Sequence, residues 1–328
     1  MTDGRRLFFV CYPDTNSTIG GVKQIYRQVE LLNQAGWQAW VLQEQPGFRA
    51  DWFSSEAPVI DLQSFLALPL DPVSDWVVLP ETWLANVPGY LVGIPKIIFN
   101  QNAYYTFGLD GKVIINTLSL YQHPDVRGVV TVSDDNRCFL VEGCGICPEK
   151  VHTILNGIDG ELFFPPERKL RRIVFLARKH VHHARTVQLM ASQRPFFQRY
   201  EFRELPRLSH PQLAAELREA LVFLSCGHPE GFGLPLAEAI ACGCITVGYH
   251  GLAGRDYCKP GLYPVEFGDL LGFLLQLETA LREFESAPEA TTNGLIAQAL
   301  TLRDRYALGK ERERCLEVWD RLTAPISA

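Results

Sequence analysis

Short apolar segments rich in β-branched and aromatic residues alternate with helical patterns along the whole chain. This alternation predicts parallel sheets wound by helices, because a parallel strand that is buried on both faces is apolar throughout. Between the first two apolar segments, Val22, Ile25, Val29 and Leu32 form one stripe at helical spacing, and Gly36 is placed to end that helix. The predicted class is α/β. In the first half, the predicted strands are residues 7–11, 37–42, 59–61, 76–79, 96–99, 128–132 and 151–155.

The length of 328 residues is about twice that of an ordinary domain, which favours two compact units. Residues 163–169 combine prolines with charges and have no periodicity, so we place the domain boundary there. We expect a first domain over residues 1–160, a second over 168–310, and a C-terminal helix over 311–328 that packs back on the first. The predicted strands of the second half are 173–177, 200–203, 221–225 and 245–247. Its predicted helices begin near residue 182, span 211–220, end near residue 242, and lie within 295–322.

Composition and charge exclude several classes of protein. The net charge is -6 and no long basic run occurs, so binding of nucleic acid is not expected. The longest apolar run, near residues 270–275, is far shorter than the roughly 20 residues that span a bilayer. Nine scattered cysteines fit a reducing compartment, so we expect a cytoplasmic protein. Cys144 and Cys147 have C-x-x-C spacing, which we interpret as a turn because no second ligand pair lies at zinc-site distance.

The glycine-rich segment that begins at Glu230 contains the most informative chemistry. Gly231 and Gly233 allow the backbone to approach a ligand closely, and Pro235 suits the first turn of a helix. The free N–H groups of that turn form a site for a phosphate. Glu230 and Glu238, one before the helix and one inside it, can accept hydrogen bonds from sugar or ribose hydroxyls without a metal ion.

Glu230 and Glu238 have E-x(7)-E spacing within E-G-F-G-L-P-x-x-E-A-x-A-x-G, which resembles the donor motif of the retaining glycosyltransferases of family four. The resemblance continues, in the same order as in that family, in three further segments. These are Gly20-Gly21-Val22, Thr131-Val132-Ser133, and Asn156-Gly157-Ile158-Asp159 followed by Phe163 or Phe164 and proline. The resemblance implies the GT-B fold, which has two Rossmann-like, doubly wound domains facing a cleft, with the nucleotide sugar held on the second domain.

The resemblance also implies roles for individual residues. Glu230 resembles the glutamate that contacts the donor sugar beside the reacting centre, and Glu238 resembles the one that holds the ribose hydroxyls. Gly20 and Gly21 resemble the N-terminal loop that approaches the donor phosphates. The turn whose amides meet the diphosphate corresponds to Gly231, Phe232, Gly233 and Leu234.

Departure of a diphosphate requires fixed positive charge. The family supplies it with an arginine at the end of the first strand of the second domain, which Arg178 matches, and with a lysine a few residues later. At the usual offset this chain has His183. Lys179 or Arg185 is therefore expected to take the role of the lysine, and His183 is the weaker alternative because a neutral imidazole donates one hydrogen bond. His180, His182 and His183 lie too close in sequence to converge on a metal ion, so we expect no metal site.

Polar side chains follow two predicted strands of the first domain. Glu81 follows one, and Asn100, Asn102 and Tyr104 follow the next, a combination that suits contact with a carbohydrate acceptor. Asp256 is similar to an acidic residue that the family places near the donor. Between Arg178 and residue 221, only one helix, one strand and one helix fit. The region that contacts the nucleobase in the family is therefore short here.

The resemblance implies a cytoplasmic, metal-independent retaining transferase that moves a sugar from a nucleoside-diphosphate sugar to a hydroxyl acceptor, without a further cofactor. The acceptor class is open: a glycan, a lipid-linked molecule or a small molecule. Two alternatives remain, a GT-B sugar-nucleotide epimerase and a catalytically silent subunit that binds nucleotide or glycan. Oligomeric state stays open, as does peripheral membrane contact through the basic residues Arg168, Lys169, Arg171 and Arg172.

Overall fold

The computed structural model describes residues 4–108, 117–258 and 262–324. The chain forms two compact units. The first contains the described residues up to Asn156 together with those from Glu311 onward, and the second is Gly157–Lys310.

The first unit is built on a seven-stranded parallel sheet with the strand order β3-β2-β1-β4-β5-β6-β7. Its strands are β1 (Arg6–Val10), β2 (Gln38–Gln43), β3 (Val59–Asp61), β4 (Asp75–Pro80), β5 (Lys96–Asn100), β6 (Val126–Thr131) and β7 (Val151–Thr153). Its first α-helices are α1 (Gly20–Gln34), α2 (Leu62–Leu66) and α3 (Asp134–Cys138). Shorter helical turns are Glu81–Asn86, Ala103–Tyr105, Leu118–Gln122, Phe139–Gly143 and Pro148–Lys150. All seven strands predicted for the first half are confirmed, with bounds that differ by at most about two residues.

The predicted apolar stripe packs α1 against the first sheet. Ile25, Val29 and Leu32 are buried, whereas Val22 is partly exposed near the start of the helix. Gly36 follows the helix with a φ of 84°, a conformation that glycine adopts without strain. The stripe and its stop signal therefore act as the sequence predicts.

The second unit contains a five-stranded parallel sheet with the order β12-β11-β10-β8-β9. Its strands are β8 (Leu170–Leu176), β9 (Glu201–Leu205), β10 (Ala220–Ser225), β11 (Ile245–Gly248) and β12 (Leu262–Pro264). Its helices are α4 (Val181–Ser192), α5 (His210–Glu219), α6 (Leu234–Ala241), α7 (Leu270–Ser286) and α8 (Pro288–Arg305), with shorter turns at Pro195–Arg199 and Ala253–Asp256. The last helix, α9 (Leu308–Thr323), begins at the end of this unit and continues into the first.

Within the first unit, α9 packs on α1 and on β1. The Trp319 side chain is fully buried against Phe9 and donates a hydrogen bond of 2.9 Å to the Gln28 side chain. The Arg27 guanidinium pairs with the Glu311 carboxylate. Buried aromatic contact and a buried acceptor together hold the helix on this face.

The helical pattern over residues 295–322 is divided in the structure. It belongs to α8 and α9, which are interrupted at Tyr306 and Ala307. Among the strands and α-helices of the second unit, two were not predicted: β12, which has only three residues, and α7. Helix α7 is capped by the Asp269 side chain, which accepts a hydrogen bond of 2.8 Å from the backbone N–H of Gly272.

Candidate functional site

The carboxyl ends of the second sheet form a small cavity of about 40 Å³. Because the strands are parallel, the segments that follow β8, β10 and β11 meet at this edge. Arg178 and Lys179 come from the segment after β8, Glu230 from the segment after β10, and His250 and Gly251 from the segment after β11. This first cavity lies entirely within the second unit.

A glycine in the left-handed backbone conformation immediately precedes α6 beside the cavity. Gly233 is the N-cap residue of α6 and has a φ of 84°. The hydroxyl of buried Tyr257 lies 2.7 Å from the carbonyl oxygen of Phe232 and 2.9 Å from that of Gly233. Leu234 is the first residue of α6, and Gly231 is buried just before the turn. Tyr257 therefore holds the predicted turn through its backbone carbonyl groups. The sequence analysis did not identify this residue.

Glu230 is held by backbone contacts with the segment that follows β11. Its N–H donates a hydrogen bond of 2.7 Å to the carbonyl oxygen of Gly251, next to an isolated parallel bridge with Leu252. A Cβ atom at Gly227 would lie 2.8 Å from a Glu230 carboxylate oxygen, and one at Gly251 would lie 3.0 Å from the Glu230 Cβ. The two glycines therefore leave room for this glutamate.

The two adjacent cations of the predicted site have different surroundings. The Lys179 Nζ atom lies 3.2 Å from the Glu230 carboxylate and donates a hydrogen bond of 2.8 Å to the carbonyl oxygen of Pro229. Arg178 is exposed, and its guanidinium forms no hydrogen bond or ion pair with any residue that the structure describes. Lys179 is thus paired with the predicted sugar-binding carboxylate, whereas Arg178 is available to a ligand.

The other two candidates for the lysine role lie outside the first cavity. Arg185 forms two hydrogen bonds of 2.7 Å with the Glu204 carboxylate. The His183 Nδ1 atom lies 2.8 Å from the hydroxyl of Tyr249. Burial, followed by the neighbouring His182 and His180, lowers the pKa of His183, so its imidazole is neutral near pH 7. Of the three, Lys179 is the one that the structure brings to Glu230.

Glu238 is buried in α6 and is paired with a histidine that the sequence analysis did not select. The His210 Nε2 atom, at the start of α5, lies 2.9 Å from a Glu238 carboxylate oxygen. The His210 ring also packs on Phe163 at a centroid distance of 4.9 Å. Glu238 does not line the first cavity, although Glu230 does. Asp256 lies in the turn that precedes Tyr257, and its carbonyl oxygen accepts a hydrogen bond from Arg305.

In the first unit, the two N-terminal glycines begin α1 after the Ile19 cap. The Gln101 side chain donates a hydrogen bond of 3.1 Å to the carbonyl oxygen of Gly21, and its own N–H donates one of 3.0 Å to the Glu81 carboxylate. A Cβ atom at Gly21 would lie 3.3 Å from the Gln101 amide. Gln101 thus connects Gly21 with Glu81, a link that becomes visible only in three dimensions.

The other predicted acceptor residues make contacts within the first unit. Asn100 has no exposed surface, and its amide donates a hydrogen bond of 2.9 Å to the hydroxyl of Tyr121. Asn102 caps the turn Ala103–Tyr105 by accepting a hydrogen bond of 3.2 Å from the N–H of Tyr104. The Tyr104 hydroxyl donates one of 2.7 Å to Asp135. Asn100 therefore has no surface for a ligand in this structure.

The described part of the chain was also compared with the expectations for metal ligands, cysteines, membrane-spanning helices and the basic residues near position 170. Within 4–108, 117–258 and 262–324, no group of three His, Cys, Asp or Glu side chains is arranged to hold a metal ion. All nine cysteines are free, and Cys147 contacts the Glu149 carboxylate at 2.7 Å. None of the described helices has the length and apolar character that crossing a membrane requires. Two residues of the basic group are ion-paired, Arg171 with Glu285 and Arg172 with Glu201, and Lys169 donates to carbonyl oxygens at the end of α5.

The two parallel sheets and their helices have the GT-B fold, as predicted. Over 97% of its length the chain is similar to all of Anabaena HepE in complex with UDP, with a TM-score of 0.68 and 14% identity. Over 98% it is similar to a glycosyltransferase from Rickettsia africae, with a TM-score of 0.65, 14% identity and 99% of that chain covered. A sucrose-phosphate synthase from Thermosynechococcus elongatus gives a TM-score of 0.61 at 15% identity, with 97% and 96% of the two chains covered. No family model and no curated protein matches the sequence.

Proposed function

We propose that this protein is a retaining, metal-independent glycosyltransferase that moves a sugar, of the hexose or deoxyhexose type, from a nucleoside-diphosphate sugar to a hydroxyl acceptor. The observation that carries the proposal is the first cavity, where Arg178 and the Lys179–Glu230 pair lie beside the glycine turn of α6. The nucleotide sugar is a co-substrate, and no further cofactor is proposed. Free thiols throughout the chain support a cytoplasmic location.

Charge gives the cavity its proposed role. A departing nucleoside diphosphate gains negative charge in the transition state, and positioned cations stabilise it. Arg178 supplies one cation, and the N–H groups at the start of α6 add the positive end of a helix. Lys179 forms an ion pair with Glu230 in the structure. We propose that a sugar hydroxyl donates to Glu230 when the donor binds, which turns Lys179 towards the diphosphate.

The same cavity favours a reaction without a covalent sugar intermediate. Glu230 is the only carboxylate among the described residues that line it, and that carboxylate is paired with Lys179. We therefore propose displacement on one face of the sugar. The bond from the anomeric carbon to the leaving phosphate oxygen breaks, and a bond to the acceptor oxygen forms on the same face. The acceptor proton passes to an oxygen of the leaving phosphate.

The structural neighbours guide the choice of donor for a first test. HepE was solved in complex with UDP and in complex with UDP-glucose. Because those likenesses are 14% and 11% identical, they support the fold and leave the donor as a proposal. Uridine nucleotides are therefore the first donors to examine, with guanosine, thymidine and adenosine nucleotides beside them.

The experiment follows consumption of UDP-, GDP-, dTDP- and ADP-glucose in EDTA, with a panel of hydroxyl acceptors, for wild type, Arg178→Gln and Arg185→Gln. Arg185 is the matched control because it also follows β8 but is paired with Glu204 outside the cavity. We expect Arg178→Gln to lower turnover at least about 100-fold, the effect of removing one group that stabilises transition-state charge. Arg185→Gln should retain the wild-type rate.

Three results would contradict the proposed function or favour one of its alternatives. Equal loss in both variants would contradict the role of Arg178. Binding of nucleotide with no consumption of any donor would favour the silent binding subunit. Interconversion of the donor sugar in the absence of an acceptor would favour the epimerase.

A further inference from the structure

A second and larger cavity adjoins the first at the same edge of the second sheet. Its volume is about 350 Å³, within the roughly 300–1,000 Å³ typical of small-molecule pockets. Tyr249, His250 and Gly251 line both cavities, so the segment after β11 is shared between them. The second cavity extends from there towards the segment that follows β12, and the proposed handling of the donor does not use it.

An aromatic ring is held at the surface of this second cavity. Phe267 is 50% exposed, although an exposed phenyl ring gains nothing from water. It stacks on His228 at a centroid distance of 4.5 Å and an interplanar angle of 25°. It also contacts His180 at 4.9 Å and Tyr249 at 5.2 Å. With His183 at 5.6 Å, four rings therefore fix the orientation of a phenyl group that remains half accessible.

Two side chains of opposite charge also line the second cavity. The Arg255 guanidinium and the Glu266 carboxylate form no hydrogen bond or ion pair with a residue in the described ranges. An arginine offers hydrogen-bond donors only and a carboxylate offers acceptors only. Together they match a ligand that both donates and accepts, as vicinal hydroxyl groups do.

Two imidazoles, those of His228 and His250, line this cavity, and that of His228 does not add positive charge near pH 7. Burial, followed by the nearby His180 and Lys179, lowers the pKa of His228. Arg255 and Glu266 then contribute opposite formal charges. This balance favours a neutral polyhydroxyl ligand over an anion.

We propose that the second cavity binds a neutral pyranose ring of the carbohydrate acceptor, with its apolar face on Phe267 and its hydroxyls on Arg255 and Glu266. The assignment to an acceptor rests on the proposed function, because only a transferase requires a second sugar beside the donor. The cavity itself is a carbohydrate site whether or not transfer occurs, and the test keeps the two claims apart.

The test measures glycoside binding by saturation-transfer NMR and titration calorimetry. The ligands are the methyl glycosides of glucose, galactose, mannose, N-acetylglucosamine and glucuronic acid. The proteins are wild type, Phe267→Leu, Phe267→Ala, Arg255→Gln and the control Leu271→Ala. Leu271 is an exposed apolar residue, 61% accessible, that lies four residues later and does not line the cavity. Its loss removes apolar surface without touching the site.

We expect at least one neutral glycoside to bind wild type and Leu271→Ala equally. Both Phe267 variants should bind it roughly three- to tenfold more weakly, the range of an aromatic contact. Phe267→Leu separates loss of the ring from loss of apolar volume. No binding of any glycoside, equal binding by the Phe267 variants, or binding of the glucuronide alone would overturn the proposal. UDP binding measured on the same wild-type sample tests the proposed function separately.

Discussion

Replacing Gly233 by alanine tests how the turn before α6 is held. A non-glycine residue in the left-handed conformation costs about 1–2 kcal/mol, and Gly233 has a φ of 84°. A Cβ atom there would also lie 2.8 Å from the Tyr257 hydroxyl oxygen. Displacing that buried hydroxyl from the two carbonyl oxygens that it contacts costs a further amount of about 1–3 kcal/mol. We therefore expect Gly233→Ala to lower the free energy of unfolding by about 2–5 kcal/mol.

Two further variants separate the strain from the clash. Gly36 has the same φ of 84°, but a Cβ atom added there would have no other atom within 4 Å, so Gly36→Ala should cost only about 1–2 kcal/mol. In a Tyr257→Phe background the clashing oxygen is absent. There, Gly233→Ala should also lower the free energy of unfolding by only about 1–2 kcal/mol. In the double-mutant cycle, the two substitutions together should therefore cost less than the sum of their separate costs.

The assay is urea unfolding followed by far-UV circular dichroism and by tryptophan fluorescence. All six tryptophans belong to the first unit, so fluorescence reports that unit and circular dichroism reports both. If Gly233→Ala is no more destabilising than Gly36→Ala, or if its cost is unchanged in the Tyr257→Phe background, the reasoning about the turn is wrong.

Two further predictions concern histidines. His210→Phe keeps a ring against Phe163 but removes the hydrogen bond to buried Glu238. It should therefore lower the free energy of unfolding by about 1–3 kcal/mol and weaken nucleotide binding. Calorimetry and unfolding curves that match those of wild type would contradict this. Burial, followed by Arg321 and Arg314, lowers the pKa of His152 below its ordinary value of 6.5. As pH falls below about 6.5 the unfolded chain takes up a proton more readily, so stability should decrease from pH 7 to pH 5. His152→Gln should flatten that decrease in thermal melts, and an unchanged slope would exclude His152 as a cause.

The sequence predicts the sheets well because their strands are buried. All six residues of β10 are buried, for example, so the strand appears as one continuous apolar run. Helix α7 begins with a similar run of leucines. Its buried face includes Phe273 and Leu277, but the exposed Leu271 and Leu275 are also apolar, so the sequence shows no helical periodicity there. The break between α8 and α9, at Tyr306 and Ala307, contains neither proline nor glycine, and the neighbouring Gly309 lies inside α9.

The candidate site is predictable only in part, for a related reason. The family resemblance assigned Arg178 and Glu230 to one site, and the parallel topology places the ends of β8 and β10 together there. The pairing of Glu238 with His210 depends on how α5 packs against α6, and periodicity does not encode it. Phe267 likewise becomes significant only when the histidines around it are seen in three dimensions.

The most direct test of the central claim is calorimetric binding of the nucleotide sugars UDP-, GDP-, dTDP- and ADP-glucose in EDTA to wild type, Lys179→Met and Arg185→Gln. We expect one nucleotide sugar to bind without metal and Arg185→Gln to bind it as wild type does. Lys179→Met should weaken it by about 1.5–3 kcal/mol, the contribution of a hydrogen bond to a charged group. If no nucleotide sugar binds in EDTA, or if Lys179→Met binds as tightly as wild type, the second unit does not hold a donor in the way proposed.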